Sequence, residues 1–467
     1  MITERSPPPV RSAFASEPAA HLSTDASRRS PVAADLLTRC AADQSERSGV
    51  RHGLESGLGG FRQALSVKSA FHLSFVLCVS SILLAPALSH AAEHAGPFGG
   101  NVQWRGSLNN SRLQFEQGKK GRVAFIGGSI TEMNGYRPMV CEALKQRFPK
   151  TEFAFVDAGI SSTCSTTGAF RLEQDVLAGG PVDLFFIEFA VNDDQDAHHS
   201  RAECIRGLEG IIRHARQSNP HMDIVVTYFV NEGMLQTLQS GGTPLTVEAH
   251  EAVARHYAVS TINLAKEVAG QITAGALTWK QYGGVHPAPF GNAIPTRMIE
   301  ELFDRAWKEP ARAADKRAPH PLPSPLDPLN YSAGRFIAPS QAQIKSGWTL
   351  GVPDWKSLAG GKRPRFTSQP MLSATIPGAE ASLAFEGTAV GAYVVAGPDA
   401  GIVEVSIDGG PFRPVDLFHA YSKGLHYPRT VLLGAELKPG KHTLTLRMAK
   451  ETKSSGTAMR VIQFVAN

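Results

Sequence analysis

The stretch RVAFIGGSITEMNGYRP, residues 122–138, decides how this chain folds. An apolar run ends in two glycines, Ser129 follows, and the next segment, YRPMVCEALKQRF, carries apolar residues at helical spacing. This order predicts a buried strand, a tight turn and a helix. Ser129 then lies in the turn, at the N-terminal end of a helix.

The same alternation of strand-like and helical segments continues from residue 119 to residue 308. Three more short runs are rich in β-branched and aromatic residues, as buried parallel strands are: EFAFVDAG, VDLFFIEFA and DIVVTYFV. Three more segments are amphipathic at helical spacing: CIRGLEGIIRHARQ, TVEAHEAVARHYA and PTRMIEELFDRAW. The alternation predicts a doubly wound α/β domain with a parallel sheet over residues 119–308.

The chain beyond that domain has a different texture. Residues 309–330 are dense in proline and charge, which predicts a linker. Residues 331–467 alternate in strand fashion between Gly, Pro and Asp-Gly turns, and we predict an all-β sandwich there. The length of 467 residues and the 42% hydrophobic content suit two or three domains with buried cores.

An export signal lies unusually deep in the chain. Residues 67–92 combine a lysine, an uncharged apolar run and small residues ending in SHAA, the pattern of a secretory signal peptide. Residues 1–66 are rich in Ser, Ala, Arg and Pro, and we predict a disordered extension from a gene start placed too early. The alternative to cleavage is a membrane anchor over residues 70–88. Either way we expect an exported protein, periplasmic or extracellular, in which residues 93–118 lead into the α/β domain.

Charge and cysteine usage exclude several functional classes. The formal net charge is only +5, without a block of Lys and Arg, so we expect no nucleic-acid partner. No C-x-x-C pair occurs, which argues against a zinc ribbon or a disulfide scaffold. After cleavage of the leader three cysteines remain, Cys141, Cys164 and Cys204, which allow one disulfide whose pairing the sequence does not give.

The turn at Ser129 lacks the features of a phosphate-binding loop. No lysine follows Gly128 as a P-loop requires, and the glycine spacing of a dinucleotide fingerprint is absent. The predicted strands instead end in Ser129, Gly159 and Asn192, and the carboxyl ends of parallel strands share one edge of a sheet. A hydroxyl nucleophile surrounded by backbone and amide N–H donors suits acyl transfer. His286, in the loop YGGVHPAPFGN, supplies a base.

Four short blocks, GGSIT, DAGIS, VND and VHP, occur in this order, each after a suitable element. In this pattern the chain between residues 119 and 308 resembles the SGNH, or GDSL-like, hydrolase family. The resemblance implies a flavodoxin-like doubly wound sheet, the SGNH hydrolase fold, with neither a cofactor nor a metal. It also implies that Ser129 is the nucleophile and that His286 acts as general base and then as acid. The oxyanion hole would consist of the N–H groups of Ser129 and Gly159 and the side-chain amide of Asn192.

Two positions depart from the family pattern. Gly128 stands where the family usually has an aspartate before the serine. Gly283 stands where an aspartate three residues before the histidine usually orients the imidazole, and the loop holds no other acid. Two hypotheses follow for the imidazole: a Ser–His dyad held by a backbone carbonyl, or a carboxylate from elsewhere, with Asp193 and Asp194 as the nearest candidates.

Other residues near the blocks have two interpretations each. Tyr136 and Arg137, shortly after the nucleophile, either contact substrate or simply begin the helix. Trp279 and Tyr282, before the histidine, form either a wall that stacks on a sugar or part of the core. The cluster NDDQDAHHS, residues 192–200, holds carboxylate and imidazole groups but lacks the spacing of a known metal motif, and a solvated loop is the favoured interpretation.

The resemblance, the export signal and the β-sandwich together favour a carbohydrate O-acetylesterase. Its partner would be an acetylated glycan or another small ester, and aromatic residues of the sandwich give a candidate surface for glycan contact. Two alternatives remain open. One is a lipase or thioesterase for longer acyl chains, and the other is a catalytically weak or inactive glycan-binding surface protein, which Gly283 motivates.

Overall fold

The computed structural model describes residues 96–467. The predicted disordered extension (1–66), the signal peptide (67–92) and the alternative anchor (70–88) lie outside these residues. Within residues 96–467, no helix has both the length and the apolar character that a membrane span requires.

A mostly parallel sheet forms the centre of the first domain. Its strands are β1 (Val102–Gln103), β2 (Lys120–Gly127), β3 (Glu152–Gly159), β4 (Leu184–Glu188), β5 (Asp223–Thr227) and β6 (Ser260–Ile262). Their spatial order is β1-β6-β5-β4-β2-β3, with β1 antiparallel to β6 and all other neighbours parallel. The five parallel strands follow the 2-1-3-4-5 order of the flavodoxin-like fold, so the predicted doubly wound sheet is confirmed. The sequence did not reveal β1 and β6, because runs of two and three residues are too short to show a strand pattern.

Helices connect and flank these strands. They are α1 (Asn109–Glu116), α2 (Ser129–Glu132), α3 (Tyr136–Arg147), α4 (Ser165–Leu172), α5 (Arg201–Ser218), α6 (Glu232–Gln239), α7 (Leu245–His256), α8 (Leu264–Thr273), α9 (Trp279–Tyr282) and α10 (Pro289–Ala306). The four predicted amphipathic segments appear as α3, α5, α7 and α10. Two turns of π-helix also occur, at Glu173–Leu177 after α4 and at Asn192–Asp196 after β4. Turns of π-helix are rare in proteins, but those that occur often lie at functional sites.

The register of the central strands decides which residues meet at the carboxyl edge of the sheet. Gly127 at the end of β2 lies opposite Gly159 of β3 on one side and Glu188 of β4 on the other. Strands β2 and β4 are locked in the core, where Phe125 and Phe186 stack with ring centroids 4.7 Å apart. The ends of three strands are therefore held side by side directly before the turn at Ser129.

The second domain consists of two antiparallel sheets. Its strands are β7 (Arg335–Ile337), β8 (Gln343–Ser346), β9 (Trp348–Gly351), β10 (Met371–Ala374), β11 (Glu380–Gly387), β12 (Val390–Ala396), β13 (Ile402–Ile407), β14 (Arg413–Asp416), β15 (Tyr427–Gly434), β16 (Gly440–Met448) and β17 (Met459–Ala466), with a short helix α11 (Pro364–Thr367) between β9 and β10. One sheet has the order β15-β12-β17-β10-β9, with β7 also paired to β17, and the other has the order β14-β13-β16-β11-β8. In β16, Leu444, Leu446 and Met448 are buried while the residues between them are partly exposed, as a strand with one face in a sandwich core requires. The predicted β-sandwich is confirmed.

Helix α4 lies between the two domains and has no exposed side. All of its residues are buried. It packs against α5 in its own domain and against β7 and β15 of the sandwich. Apolar side chains of the sandwich, among them Phe366, Tyr393 and Val465, belong to the same continuous core as the α/β domain. The two domains therefore share one apolar core at this contact.

Residues 309–330, predicted as a linker, connect the two domains and are held against the first one. The backbone of Ala318 exchanges two hydrogen bonds with the side chain of Asn110, at 2.8 and 2.9 Å. Nε2 of His320 lies 2.7 Å from Oδ1 of the buried Asp223. Although this segment has no regular secondary structure, these contacts fix its course over the α/β domain.

Candidate active site

Ser129 and His286 meet at the carboxyl edge of the parallel sheet. Ser129 is the first residue of α2, and its Oγ lies 2.7 Å from Nε2 of His286. The two residues are 157 positions apart, and the turn after β2 and the loop before α10 bring them together. The distance suits proton transfer from a serine hydroxyl to a neutral imidazole.

The loop that carries His286 is fixed on both sides of the histidine. On one side, Thr278 and Gln281 form a capping box that begins α9. On the other side, the side-chain amide of Asn292 donates to the carbonyl of Pro287 at 2.6 Å. Backbone and neighbouring side chains therefore place the imidazole, and within residues 96–467 its Nδ1 has no hydrogen-bond partner.

Neither hypothesis about an orienting group for His286 matches this arrangement. Asp193 accepts hydrogen bonds from the N–H and Oγ of Ser165, at 2.8 and 2.7 Å. Asp194 accepts from the side-chain amide of Asn231 at 2.7 Å. The prediction that Asp193 or Asp194 orients His286 is wrong, because neither carboxylate lies within hydrogen-bond distance of the imidazole. A backbone carbonyl does not accept from Nδ1 either, as far as the described residues extend.

The backbone at Gly283 explains why the usual aspartate is absent. Its φ of 107° lies in the left-handed region, and a Cβ at this position would overlap the amide nitrogen of Ala288. We expect Gly283→Asp to lower the free energy of unfolding by about 2–4 kcal/mol, because it adds both backbone strain and overlap. Urea unfolding measures this loss, and esterase activity is expected not to exceed that of the wild type.

Gly284→Asp is the matched control for this variant. Gly284 also has a positive φ, of 78°, but open space surrounds the position that its Cβ would take. This control variant has backbone strain without overlap, and we expect it to lower the free energy of unfolding by about 1 kcal/mol. Equal stability of the two variants, or higher activity in Gly283→Asp than in the wild type, would contradict the explanation.

The side-chain amide of Asn192 lies beside the turn that presents the nucleophile. A Cβ on Gly128 would overlap this amide, so the glycine before Ser129 leaves the space that Asn192 occupies. This contact accounts for the first departure from the family pattern. Nδ2 of Asn192 donates one hydrogen bond to Oδ2 of Asp196 at 2.8 Å and retains a second N–H. The position fits the predicted oxyanion donor, whose role stays a prediction.

Gly159 lies at the predicted edge, but its N–H is engaged. It donates to Oδ1 of Asp157 at 3.0 Å, and a Cβ on Gly159 would overlap the backbone of Glu132 in α2. The glycine thus lets α2 approach the end of β3, and the predicted donor role does not fit this arrangement. In the same loop Ser162 has a φ of 71°, and its N–H makes no hydrogen bond within residues 96–467.

Two buried ionisable residues support the edge of the sheet next to Ser129, and the sequence predicted neither. Arg171 of α4 is fully buried and donates to the carbonyls of Ala158 and Gly127, at 2.7 and 3.0 Å. Glu188 at the end of β4 accepts from Oγ1 of Thr131 at 3.3 Å. Burial raises the pKa of Glu188 to about 8, so at neutral pH its carboxyl group is mostly protonated and can donate a hydrogen bond.

Most of the residues that were candidates for substrate contact have structural roles instead. Tyr136 and Tyr282 are fully buried, so neither meets substrate. Arg137 pairs with Asp157, its Nη2 lying 2.7 Å from Oδ2, and so braces the start of α3. Trp279 is partly buried and stacks on Tyr282 with ring centroids 5.5 Å apart. Tyr136 begins α3 and Tyr282 belongs to the core, and Trp279 alone of the aromatic pair keeps a partly exposed face.

Asp193 is the centre of a buried cluster with the chemistry of metal ligands. Two sets of residues each bring their ligand atoms within 4.8 Å of one another: Cys164, Asp193 and His199, and Asp193, Cys204 and His250. Besides its bonds from Ser165, the Asp193 carboxylate lies 2.9 Å from Nε2 of His250 and thereby ties α4 to α7. The segment 192–200 begins as a buried π-helical turn, so the predicted solvated loop is wrong for its first half. The three cysteines within residues 96–467 are all free and buried.

The sequence model of the GDSL-like Lipase/Acylhydrolase family matches residues 125–294, a range that contains Ser129, Asn192 and His286. Residues 125–294 belong to this family. This acylhydrolase domain also holds a serine and a histidine in hydrogen-bond contact. The two residues lie at the edge of the sheet where α/β proteins bind ligands.

The acylhydrolase domain and the sandwich together match solved structures of a two-domain esterase (CEX) active on acetylated mannans. For the structure co-crystallised with mannopentaose, the TM-score is 0.63 at 20% identity, over 78% of this chain and 96% of that one. A second structure of that esterase gives a TM-score of 0.61 at 21% identity over the same shares. At this identity the likeness shows the fold, an α/β domain followed by a β-sandwich. A search of curated proteins gave no match.

Proposed function

We propose that this chain is a serine esterase that removes O-acetyl groups from a polysaccharide. The observation that carries the proposal is the 2.7 Å contact between Ser129 Oγ and His286 Nε2 within an acylhydrolase domain. Export, predicted from residues 67–92, is part of the same proposal, because polymeric glycans are substrates met outside the cell membrane.

The reaction would use this pair in two steps. His286 Nε2 accepts the hydroxyl proton as Ser129 Oγ attacks the acetyl carbonyl, and the free N–H of Asn192 stabilises the oxyanion that forms. The imidazolium then protonates the departing sugar oxygen, leaving the acetyl group on the serine. Water, deprotonated by the same imidazole, attacks the acyl-enzyme and releases acetate, which restores Ser129.

Exposure of the site supports a large substrate over a buried acyl chain. His286 is exposed, and Phe290, four positions further on, is 57% exposed. Three cavities in the described chain, of about 320, 650 and 210 Å³, are lined by neither Ser129 nor His286. An open rim admits an acetyl group on a polymer, whereas a longer acyl chain needs an apolar channel to bury it.

The matched esterase acts on acetylated mannans and shares the two-domain arrangement over 78% of this chain. Acetylated mannan is therefore the first polysaccharide that we propose as a substrate. This step rests on fold likeness, and the site chemistry would also serve other acetylated glycans.

The proposal is tested by measuring acetate released from acetylated mannan and acetylated xylan, with p-nitrophenyl acetate and p-nitrophenyl octanoate as small esters. We expect acetate release that Ser129→Ala abolishes, and a kcat/KM for the acetate ester at least about 10-fold above that for the octanoate, since an open rim buries little of a longer acyl chain. Preference for octanoate would favour a lipase or thioesterase. Binding of these glycans without any turnover would favour an inactive surface protein.

A further inference from the structure

The residue that holds the Asn192 amide is itself held by the second domain. We infer that Asp196 is a positioning residue for the oxyanion donor Asn192, and that Tyr427 and His419 of the β-sandwich fix Asp196 in place. The sandwich would thus complete the catalytic site of the first domain. This inference rests on the esterase function proposed above.

The first contact lies within the acylhydrolase domain. Asn192 and Asp196 are the two ends of the π-helical turn that follows β4, and both are buried, at 2% and 7% exposure. Asn192 Nδ2 donates to Asp196 Oδ2 at 2.8 Å. Because the amide nitrogen carries two hydrogens, one is bound to the carboxylate and the other is left for an oxyanion.

The carboxylate also decides which way the amide faces. With the amide reversed, its oxygen would point at Asp196 Oδ2, and two acceptors in contact repel each other. In the rotamer present, Oδ1 is the amide atom nearest the position that a Cβ on Gly128 would take, and Nδ2 faces Asp196. Asp196 therefore selects the rotamer in which Nδ2 faces the carboxylate, and the second N–H of Nδ2 is the donor that we assign to the reacting carbonyl oxygen.

The second contact comes from the β-sandwich. The hydroxyl of Tyr427, the first residue of β15, donates to the other carboxylate oxygen of Asp196, Oδ1, at 2.7 Å. Nε2 of His419 lies 2.8 Å from the backbone carbonyl of Asp196. The two rings stack on each other with centroids 4.6 Å apart and planes 10° apart. One carboxylate thus bridges the domains, with one oxygen bound to each.

Because Asp196 contacts the oxyanion donor, this bridge is expected to affect kcat more than KM. An oxyanion donor contributes mostly in the transition state, because charge develops on the carbonyl oxygen only there. Loosening Asp196 is therefore expected to lower kcat and to leave KM nearly unchanged. A general loss of folding would instead lower the unfolding temperature and the active fraction together.

The test uses Tyr427→Phe in the full chain, a change that deletes the hydroxyl and keeps the ring. We expect kcat on p-nitrophenyl acetate to fall about 10-fold with KM changed by less than about 2-fold, and phenylboronic acid, which forms a tetrahedral adduct with serine, to bind about 10-fold more weakly. Tyr393→Phe is the matched control. The Tyr393 hydroxyl is buried in the same sandwich without a hydrogen bond in the described chain, so its loss is expected to change neither constant.

A double-mutant cycle with Asn192→Ala tests whether Tyr427 acts through the amide. Asn192→Ala alone is expected to lower kcat about 10²- to 10³-fold, and in that background Tyr427→Phe should change kcat by less than about 2-fold. Asp196→Asn, which keeps the volume and removes the charge, is expected to lower kcat in the same way and serves if Tyr427→Phe does not fold.

The outcomes separate this inference from the proposed function. An active wild type whose kcat is unchanged in Tyr427→Phe overturns the inference and leaves the esterase function standing. An equal loss of kcat with and without Asn192 also overturns it, because the effect then bypasses the amide. A wild type without esterase activity that depends on Ser129 overturns both.

Discussion

Alanine in place of Ser129 is expected to lower kcat on p-nitrophenyl acetate by about 10⁴- to 10⁶-fold. The substitution removes the oxygen that attacks the ester and leaves the sheet edge intact, because the Ser129 hydroxyl bonds only to His286 within the described residues. Steady-state hydrolysis with active-site titration of the wild type measures the loss. Far-ultraviolet circular dichroism and the unfolding temperature are expected to remain those of the wild type.

His286→Ala is expected to cost nearly as much, and the double variant no more than either single one, since nucleophile and base act as a unit. Ser240→Ala is a suitable control, because this serine follows α6 and its hydroxyl bonds, among residues 96–467, only to the nearby backbone carbonyls of Gln236 and Thr237. If Ser129→Ala kept more than about a tenth of the wild-type kcat, a different residue would be the nucleophile.

Methionine in place of Arg171 is expected to lower the free energy of unfolding by about 3–5 kcal/mol. The guanidinium group is fully buried and bonds to the carbonyls of Ala158 and Gly127 and, at 2.9 Å, to Asp175 Oδ2. Methionine fills much of the volume but removes these hydrogen bonds from the edge of the sheet. Urea unfolding followed by circular dichroism measures the change.

Arg201→Met is the control for this substitution. Arg201 pairs with Glu248 at 3.1 Å, but both side chains are about half exposed, at 50% and 52%, so the loss is expected to stay below about 1 kcal/mol. Similar losses for the two variants would show that Arg171 does not anchor the strand ends. Activity of Arg171→Met is expected to fall as well, because Gly127 directly precedes the nucleophile turn.

The sequence predicted the parts of the site that lie at the ends of recognisable strands. Ser129 and Asn192 follow apolar runs, and His286 stands in a Gly- and Pro-rich loop, so their types and order suffice to group them. The fold class followed from the alternation of strand-like and helical segments. Strands of two or three residues were not predicted, because a periodic pattern needs more positions than they have.

The residues that support the site could not be predicted in this way. Glu188 is a single polar residue in an otherwise apolar strand. In the sequence, Arg171 cannot be told from an exposed charged residue on an amphipathic helix. Tyr427 lies more than two hundred positions from Asp196 in the chain, at a separation of 231, and only the docking of two domains brings them together. The sequence also showed that Gly283 replaces an aspartate, but only its backbone conformation shows that a side chain does not fit there.

The enclosed position of helix α4 has consequences for how a chain of this architecture evolves. A helix enclosed on every side needs both of its neighbours, and an acylhydrolase domain separated from residues 331–467 would present a bare apolar surface to water. We therefore expect that exchanging residues 331–467 for an unrelated module would not yield a folded protein. We also expect substitutions on one side of the helix to require matching changes on the other side.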